Sequence, residues 1–184
     1  MPAGISSARI NNPRTKQILL LFATPKTPKQ AAHQLSVRKL KLTSLIKNHL
    51  IKCLNPDSRK GRFYVLTDKA RGILPECPET DINKDWECIG WIISSPRQRL
   101  AIIRCVNESR LTSEEIRMRA TQFNSSISRP SIKNILRELI GRHLVDSEIL
   151  ERIRLYWISG YGRKIKDEIT VCYPLSPGFF AAQT

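Results

Sequence analysis

Hydrophobic and polar positions along the chain fall into two successions of the same kind. In the first, Pro13 opens a segment whose apolar run, Ile18 to Phe22, predicts a helix to about Ala23. Thr27-Pro28 predicts a cap and a second helix to about Leu35, with proline at a tolerated first position. A third helix is expected from about Ser36 to Asn48, with Leu42 and Leu45 three apart and facing inward. Tracts rich in β-branched and aromatic residues predict strands at Ile51–Leu54 and Phe63–Thr67. Between them Asn55-Pro-Asp-Ser-Arg-Lys-Gly61 reads as a hairpin turn, and a short helix follows Thr67. The second succession predicts helices near 96–107, 112–121 and 129–142, strands near Val145–Ile149 and Arg154–Ser159, and a last helix near 161–170. Ser128, before Arg129-Pro130, is its N-cap candidate.

The two successions are copies in register. Arg62 to Leu74 lies over Arg154 to Lys166 at an offset of 92, so that Tyr64 meets Tyr156, Thr67 meets Ser159 and Arg71 meets Arg163. Leu45 and His49 lie over Leu139 and His143 at 94, and Pro13 over Pro96 at 83. Offsets that drift while the order holds mean a duplicated unit with loop insertions. Charge divides the chain at the same places. Residues 1–75 hold 15 Lys and Arg against two acids, 76–95 hold one Lys against five acids, and 96–184 hold 15 against nine. The expected organisation is a basic first domain over 1–75, an acidic linker over 76–95, a second domain over 96–172 and a tail over 173–184. Trp86 and Trp91 in the linker are read as pinning it to one lobe, since large aromatics seldom stay exposed.

Lys47-Asn-His-Leu-Ile-Lys-Cys-Leu-Asn-Pro56, with Arg59-Lys-Gly-Arg-Phe-Tyr-Val-Leu-Thr-Asp-Lys-Ala-Arg-Gly-Ile-Leu74, resembles the end of the recognition helix, the wing and the closing helix of archaeal winged-helix transcriptional regulators, a branch similar to the MarR and ArsR families. The resemblance covers 13–74 well and 96–170 more loosely. It implies an α+β chain, mostly α with small β-hairpins, built as tandem winged helix-turn-helix domains that regulate transcription by binding DNA. His49 and His143 stand at helix ends where that family usually has Gly, which makes them turn residues. Arg38 stands where the family pattern has an apolar residue.

A formal net charge of +15 and a pI near 10.1 sharpen the functional reading, because self-repulsion on that scale calls for a polyanionic partner. Double-stranded DNA leads. Phosphates are neutralised by Lys and Arg, and sequence is read from a helix in the major groove. The candidate reading positions are Arg38, Lys39, Lys41, Thr43, Ser44 and Lys47 in the first unit, and Arg129, Ser131, Lys133 and Arg137 in the second. Arg59, Lys60 and Arg62 around Gly61 form a basic wing. The second hairpin carries Asp146, Glu148 and Glu151, so it suits DNA poorly, and that unit either touches DNA through its helix alone or serves a homodimer or protein partner. The alternative to a regulator is a tandem winged-helix scaffold of chromosome or transcription machinery, with an RNA-binding protein or a nucleic-acid enzyme further behind. No catalytic constellation, Gly-rich phosphate loop or metal-ligand spacing is present, so neither enzymatic activity nor a cofactor is expected. Five scattered Cys without a C-x-x-C pair fit a reducing cytosol, and the longest apolar run, Ile18 to Ala23, is six residues, far short of a membrane span. The expected setting is cytoplasmic and nucleoid-associated.

Overall fold

The computed structural model describes residues 12–74 and 84–173. The fold is α+β: among the described residues helix accounts for 52% and strand for 14%, in two small antiparallel sheets, so helices supply most of the core and the strands close it. Two units divide at Gly90 and Trp91.

In the first unit α1 (Pro13–Leu21) begins where the Asn12 side chain accepts from the Arg14 N–H, with proline at its first position. α2 (Pro28–Gln34) starts in a capping box: the Gln30 N–H donates to Thr27 Oγ1 and the Thr27 N–H to Gln30 Oε1, at 3.2 and 2.8 Å. It ends at Leu35 and Ser36, the latter with a φ of 53°. α3 (Thr43–Lys47) is five residues long, not the expected helix over 36–48. The reason lies in spacing. Leu40 and Leu42 both turn toward the core two residues apart, which is an extended period, and the helical spacing begins only between Leu42 and Leu45. His49 then takes a φ of 53° and sends the chain into β1 (Ile51–Cys53), which pairs antiparallel with β2 (Tyr64–Leu66) in the register Ile51 to Leu66. Lys26 bridges to Tyr64 on the other side of β2. α4 (Asp68–Ile73) is capped by Thr67. Leu19, Phe22, Leu45, Leu50, Ile51 and Leu66 form the centre of this core, each worth about 1.5–3 kcal/mol when fully buried.

The hairpin turn is organised by Asn55, which is completely buried. Its Nδ2 donates to the Gly61 carbonyl at 3.1 Å and its Oδ1 accepts from the Phe63 N–H at 2.7 Å. Asn55→Ala would strand a buried N–H and a carbonyl, and a loss of about 2–3 kcal/mol is expected in chemical denaturation. The turn rests on α5 (Trp86–Ile93). A β-carbon on Gly61 would lie 2.2 Å from the Gly90 carbonyl oxygen, and Gly61 has a φ of 69°, so this approach requires glycine twice over. Trp86 is buried beside Phe63, ring centroids 5.0 Å apart. Residues 76–83 of the expected linker lie outside the described residues, and 86–93 is helix instead of connector. Asp85 Oδ1 accepts from the Cys88 N–H at 2.8 Å, and Trp86, Ile89 and Ile93 are buried at helical spacing. That period emerges only when the acidic stretch is read together with the apolar residues after it.

The second unit follows the same path. A π-helical turn (Pro96–Leu100) runs into α6 (Ala101–Cys105). β3 (Leu111–Thr112) leads into α7 (Ser113–Thr121) through a second capping box, Thr112 with Glu115. α8 (Arg129–Gly141) is capped by Ser128, as its sequence suggests. β4 (Val145–Leu150) and β5 (Ile153–Ile158) form a hairpin, β3 adds to the free side of β5, and α9 (Gly160–Cys172) closes the unit. Each hairpin strand is six residues long, longer than expected at the tip, because the turn takes only Glu151 and Arg152, both at positive φ, the two-residue geometry that suits strand twist. The correspondence with the first unit reaches individual atoms. His143 has a φ of 56°, matching His49. The Ser159 hydroxyl donates to the His143 carbonyl at 2.6 Å, and the Thr67 hydroxyl to the His49 carbonyl at 2.7 Å. Tyr156 lies between β3 and β4 as Tyr64 lies between Lys26 and β1.

α9 is tied to α6 by Lys166, whose Nζ donates to the carbonyls of Arg104 and Val106 at 2.9 and 2.8 Å. Burial lowers the pKa of both Lys166 and Arg104. Burial also pushes the Tyr173 phenol up to about 12, from the ordinary value of about 10. The fold thus favours the neutral phenol: its contribution is intact below pH 10 and is lost as pH rises toward 12. Tyr173→Phe is expected to flatten that alkaline loss, read as the difference in denaturation midpoint between pH 9 and pH 11 for variant and parent.

Candidate nucleic-acid interface

The first unit presents its basic residues on three pieces of backbone. Thr43, Ser44 and Lys47 are exposed on α3. Arg38, Lys39 and Lys41 are exposed as well, but they lie on the non-helical segment before α3, and a five-residue helix cannot carry six reading positions. The expectation of one basic helix face therefore fails here for the reason that shortens the helix, the extended Leu40–Leu42 step. Arg59 and Lys60 project from the hairpin turn, both exposed. Arg62 is also exposed, yet its guanidinium folds back on the turn, Nε donating to the Ser58 carbonyl at 2.6 Å and a terminal nitrogen to the Pro56 carbonyl at 3.2 Å. Its charge remains at the turn while two of its donors are engaged. Glu87, on α5, accepts from the Asp57 N–H at 3.2 Å and from the Ser58 hydroxyl at 2.5 Å.

The second unit has the regular helix. Along the 13 residues of α8 the buried positions Ile132, Ile135, Leu136 and Leu139 make the core stripe, and Arg129, Lys133 and Arg137, four apart, make an exposed basic row. Ser131 does not join that row. It is half-buried and its hydroxyl pairs with that of the cap Ser128 at 2.8 Å. Arg129 approaches Glu114 at 3.5 Å, and Glu114 also binds Arg117 at 2.6 Å. The Arg117 hydrogen bond holds the Glu114 carboxyl below the usual carboxylate range. Arg137 reaches Asn134 Oδ1 at 3.5 Å.

Two further arginines are not singled out by the sequence pattern. Arg99 and Arg142 each hold a guanidinium 4.2 Å from the centre of the Trp91 ring, and Arg99 also bonds Glu138 at 3.0 Å. Arg142 is exposed at the C-terminal cap of α8, on the side that meets Trp91 and away from the basic row. A Trp preceding a basic stretch was the available signal. The hairpin of this unit differs in chemistry. Ile149, Leu150 and Ile153 are exposed at its tip, and Glu148 pairs with Arg110, which lies over Trp157.

Among the described residues, no group of three or more His, Cys, Asp or Glu is placed to hold a metal ion, and no helix is long and apolar enough to cross a membrane. Compared with known proteins, the chain matches no family model, no curated protein and no solved structure.

Proposed function

We propose that the chain is a tandem winged-helix protein that binds duplex DNA and acts as a transcriptional regulator. The observation that carries this reading is the row Arg129, Lys133 and Arg137 on α8, a capped helix of 13 residues whose opposite face is core. A helix of this length, basic on its outer side, suits the major groove, and its Arg and Lys can reach both base edges and phosphates. In the first unit Arg59 and Lys60 on the turn, with Arg38, Lys39, Lys41 and Lys47, supply a phosphate-directed surface. Compared with the expectation from residue pattern alone, the weight of base reading moves to the second unit and that of backbone clamping to the first.

The second hairpin supports a role beyond DNA. Three exposed apolar residues at a tip that also bears Glu151 suit a protein contact better than phosphate, which keeps a scaffold in chromosome or transcription machinery as the alternative. A salt titration on a mixed-sequence duplex, a single strand and a duplex RNA separates the readings. A steep slope with preference for duplex DNA supports the regulator, and absence of binding to all three supports the scaffold.

A further inference from the structure

Glu87 on α5 is hydrogen-bonded to the first hairpin turn, the turn that carries Arg59 and Lys60. Each carboxylate oxygen of Glu87 takes one donor from the turn, Oε1 from the Asp57 N–H and Oε2 from the Ser58 hydroxyl. A backbone N–H beside a hydroxyl, flanked by exposed Arg59 and Lys60 and by the Arg62 charge, is the donor set with which proteins hold a nucleic-acid phosphate. We propose, resting on the reading of that turn as a DNA contact, that Glu87 is an intramolecular stand-in for the phosphate: it occupies the donors of the basic turn and holds down the turn's affinity for the nucleic-acid backbone until a phosphate displaces it.

The turn does not depend on Glu87 for its shape. Asn55 fixes it from inside through Gly61 and Phe63, and α5 is held against it by Trp86 on Phe63 and by the Gly61–Gly90 approach. Glu87 therefore adds charge and two hydrogen bonds to a surface already built, and a long side chain with three rotatable bonds can leave without unmaking that surface. A carboxylate at this position opposes binding twice, by repelling the incoming phosphate and by occupying its donors.

The experiment compares the full chain with Glu87→Gln, Glu87→Ala, Arg59→Ala/Lys60→Ala and the combination of Glu87→Gln with that pair, by anisotropy of a labelled mixed-sequence duplex across a salt series. Thermal melts and exchange of the Asp57 amide report the fold and the clamp. The expected result is that both Glu87 variants bind about three- to tenfold more tightly at low salt, with a log–log slope steeper by about 0.9, one further phosphate neutralised. The gain should vanish when Arg59 and Lys60 are absent. Equal or weaker binding by both folded Glu87 variants, while the Arg59/Lys60 pair weakens binding, overturns the competitor role and leaves the turn as a DNA contact. Binding indifferent to the Arg59/Lys60 pair overturns the reading of the turn and this proposal with it.

Discussion

Gly162→Ala is expected to destabilise the second unit by about 3 kcal/mol or more, a drop in melting temperature on the order of 10–20 °C. A β-carbon there would lie 1.9 Å from the Leu144 carbonyl oxygen and 2.8 Å from its carbon, and both are backbone atoms that no rotamer change can move aside. Leu144 cannot yield cheaply. Its carbonyl accepts from the Ser159 N–H at 3.2 Å, and its own N–H closes α8 on Leu139 at 3.0 Å. Ser159 in turn caps α9 through the Gly162 N–H at 2.8 Å. One methyl group therefore presses on the end of one helix, the start of another and the strand joint between them. Gly160→Ala, two residues away, meets nothing within 4 Å and should be neutral or slightly stabilising. Differential scanning calorimetry of the two variants checks the contrast. Equal melting temperatures would mean that α9 slides freely against Leu144.

The second large effect concerns binding. Replacing Arg129, Lys133 and Arg137 together by alanine should flatten the salt dependence of duplex affinity by about 2.7, at roughly 0.9 for each phosphate contact. Because such contributions vanish near 1 M salt, the same arithmetic predicts a loss on the order of several hundred-fold at 0.1 M. The core stripe of α8 is untouched by these changes, so stability should hold within about 0.5 kcal/mol. Base reading adds a distinct signature. A residue that makes a bidentate contact to a base costs about 1–3 kcal/mol of discrimination when it is lost, so single variants are expected to change the preferred site in a binding-site selection as well as the affinity. A triple variant that keeps full affinity and slope would remove α8 from the interface and leave the second unit to a protein partner.

Much of this architecture is legible in the residues. The order of elements apart from β3 and α5, the caps at Thr27, Ser128 and Thr67, and the equivalence of His49 with His143 follow from local chemistry, since each depends on side chains a few positions apart. The start of α3 was hidden because a leucine every two or three residues serves an extended segment and a helix alike, and the left-handed turn at Ser36 leaves no composition signal. The helix at Trp86–Ile93 was hidden by its charge: its first turn belongs to the acidic stretch, while its buried stripe belongs to the apolar residues beyond. For the candidate site, residue type was readable and geometry was not. Nothing local distinguishes Arg59, which projects, from Arg62, which folds onto two carbonyls. The Glu87 contact joins residues 29 and 30 apart, beyond the reach of any pattern within one element.

The two capping threonines and the two left-handed histidines bound the same stretch of each unit, yet their spacing differs. Thr112 follows Thr27 by 85 residues, whereas His143 follows His49 by 94. Nearly all of the difference is spent on one part, the five residues of α3 against the thirteen of α8. The fittings at either end are the same in both units, a capping box upstream and a hydroxyl on the histidine carbonyl downstream, although the helix between them differs in length. The two units thus differ mainly in how much helix runs between like end fittings. Transplanting the α8 segment between the first unit's own fittings is a defined grafting experiment, and it would ask whether the first unit still folds around a thirteen-residue helix in place of its five-residue one.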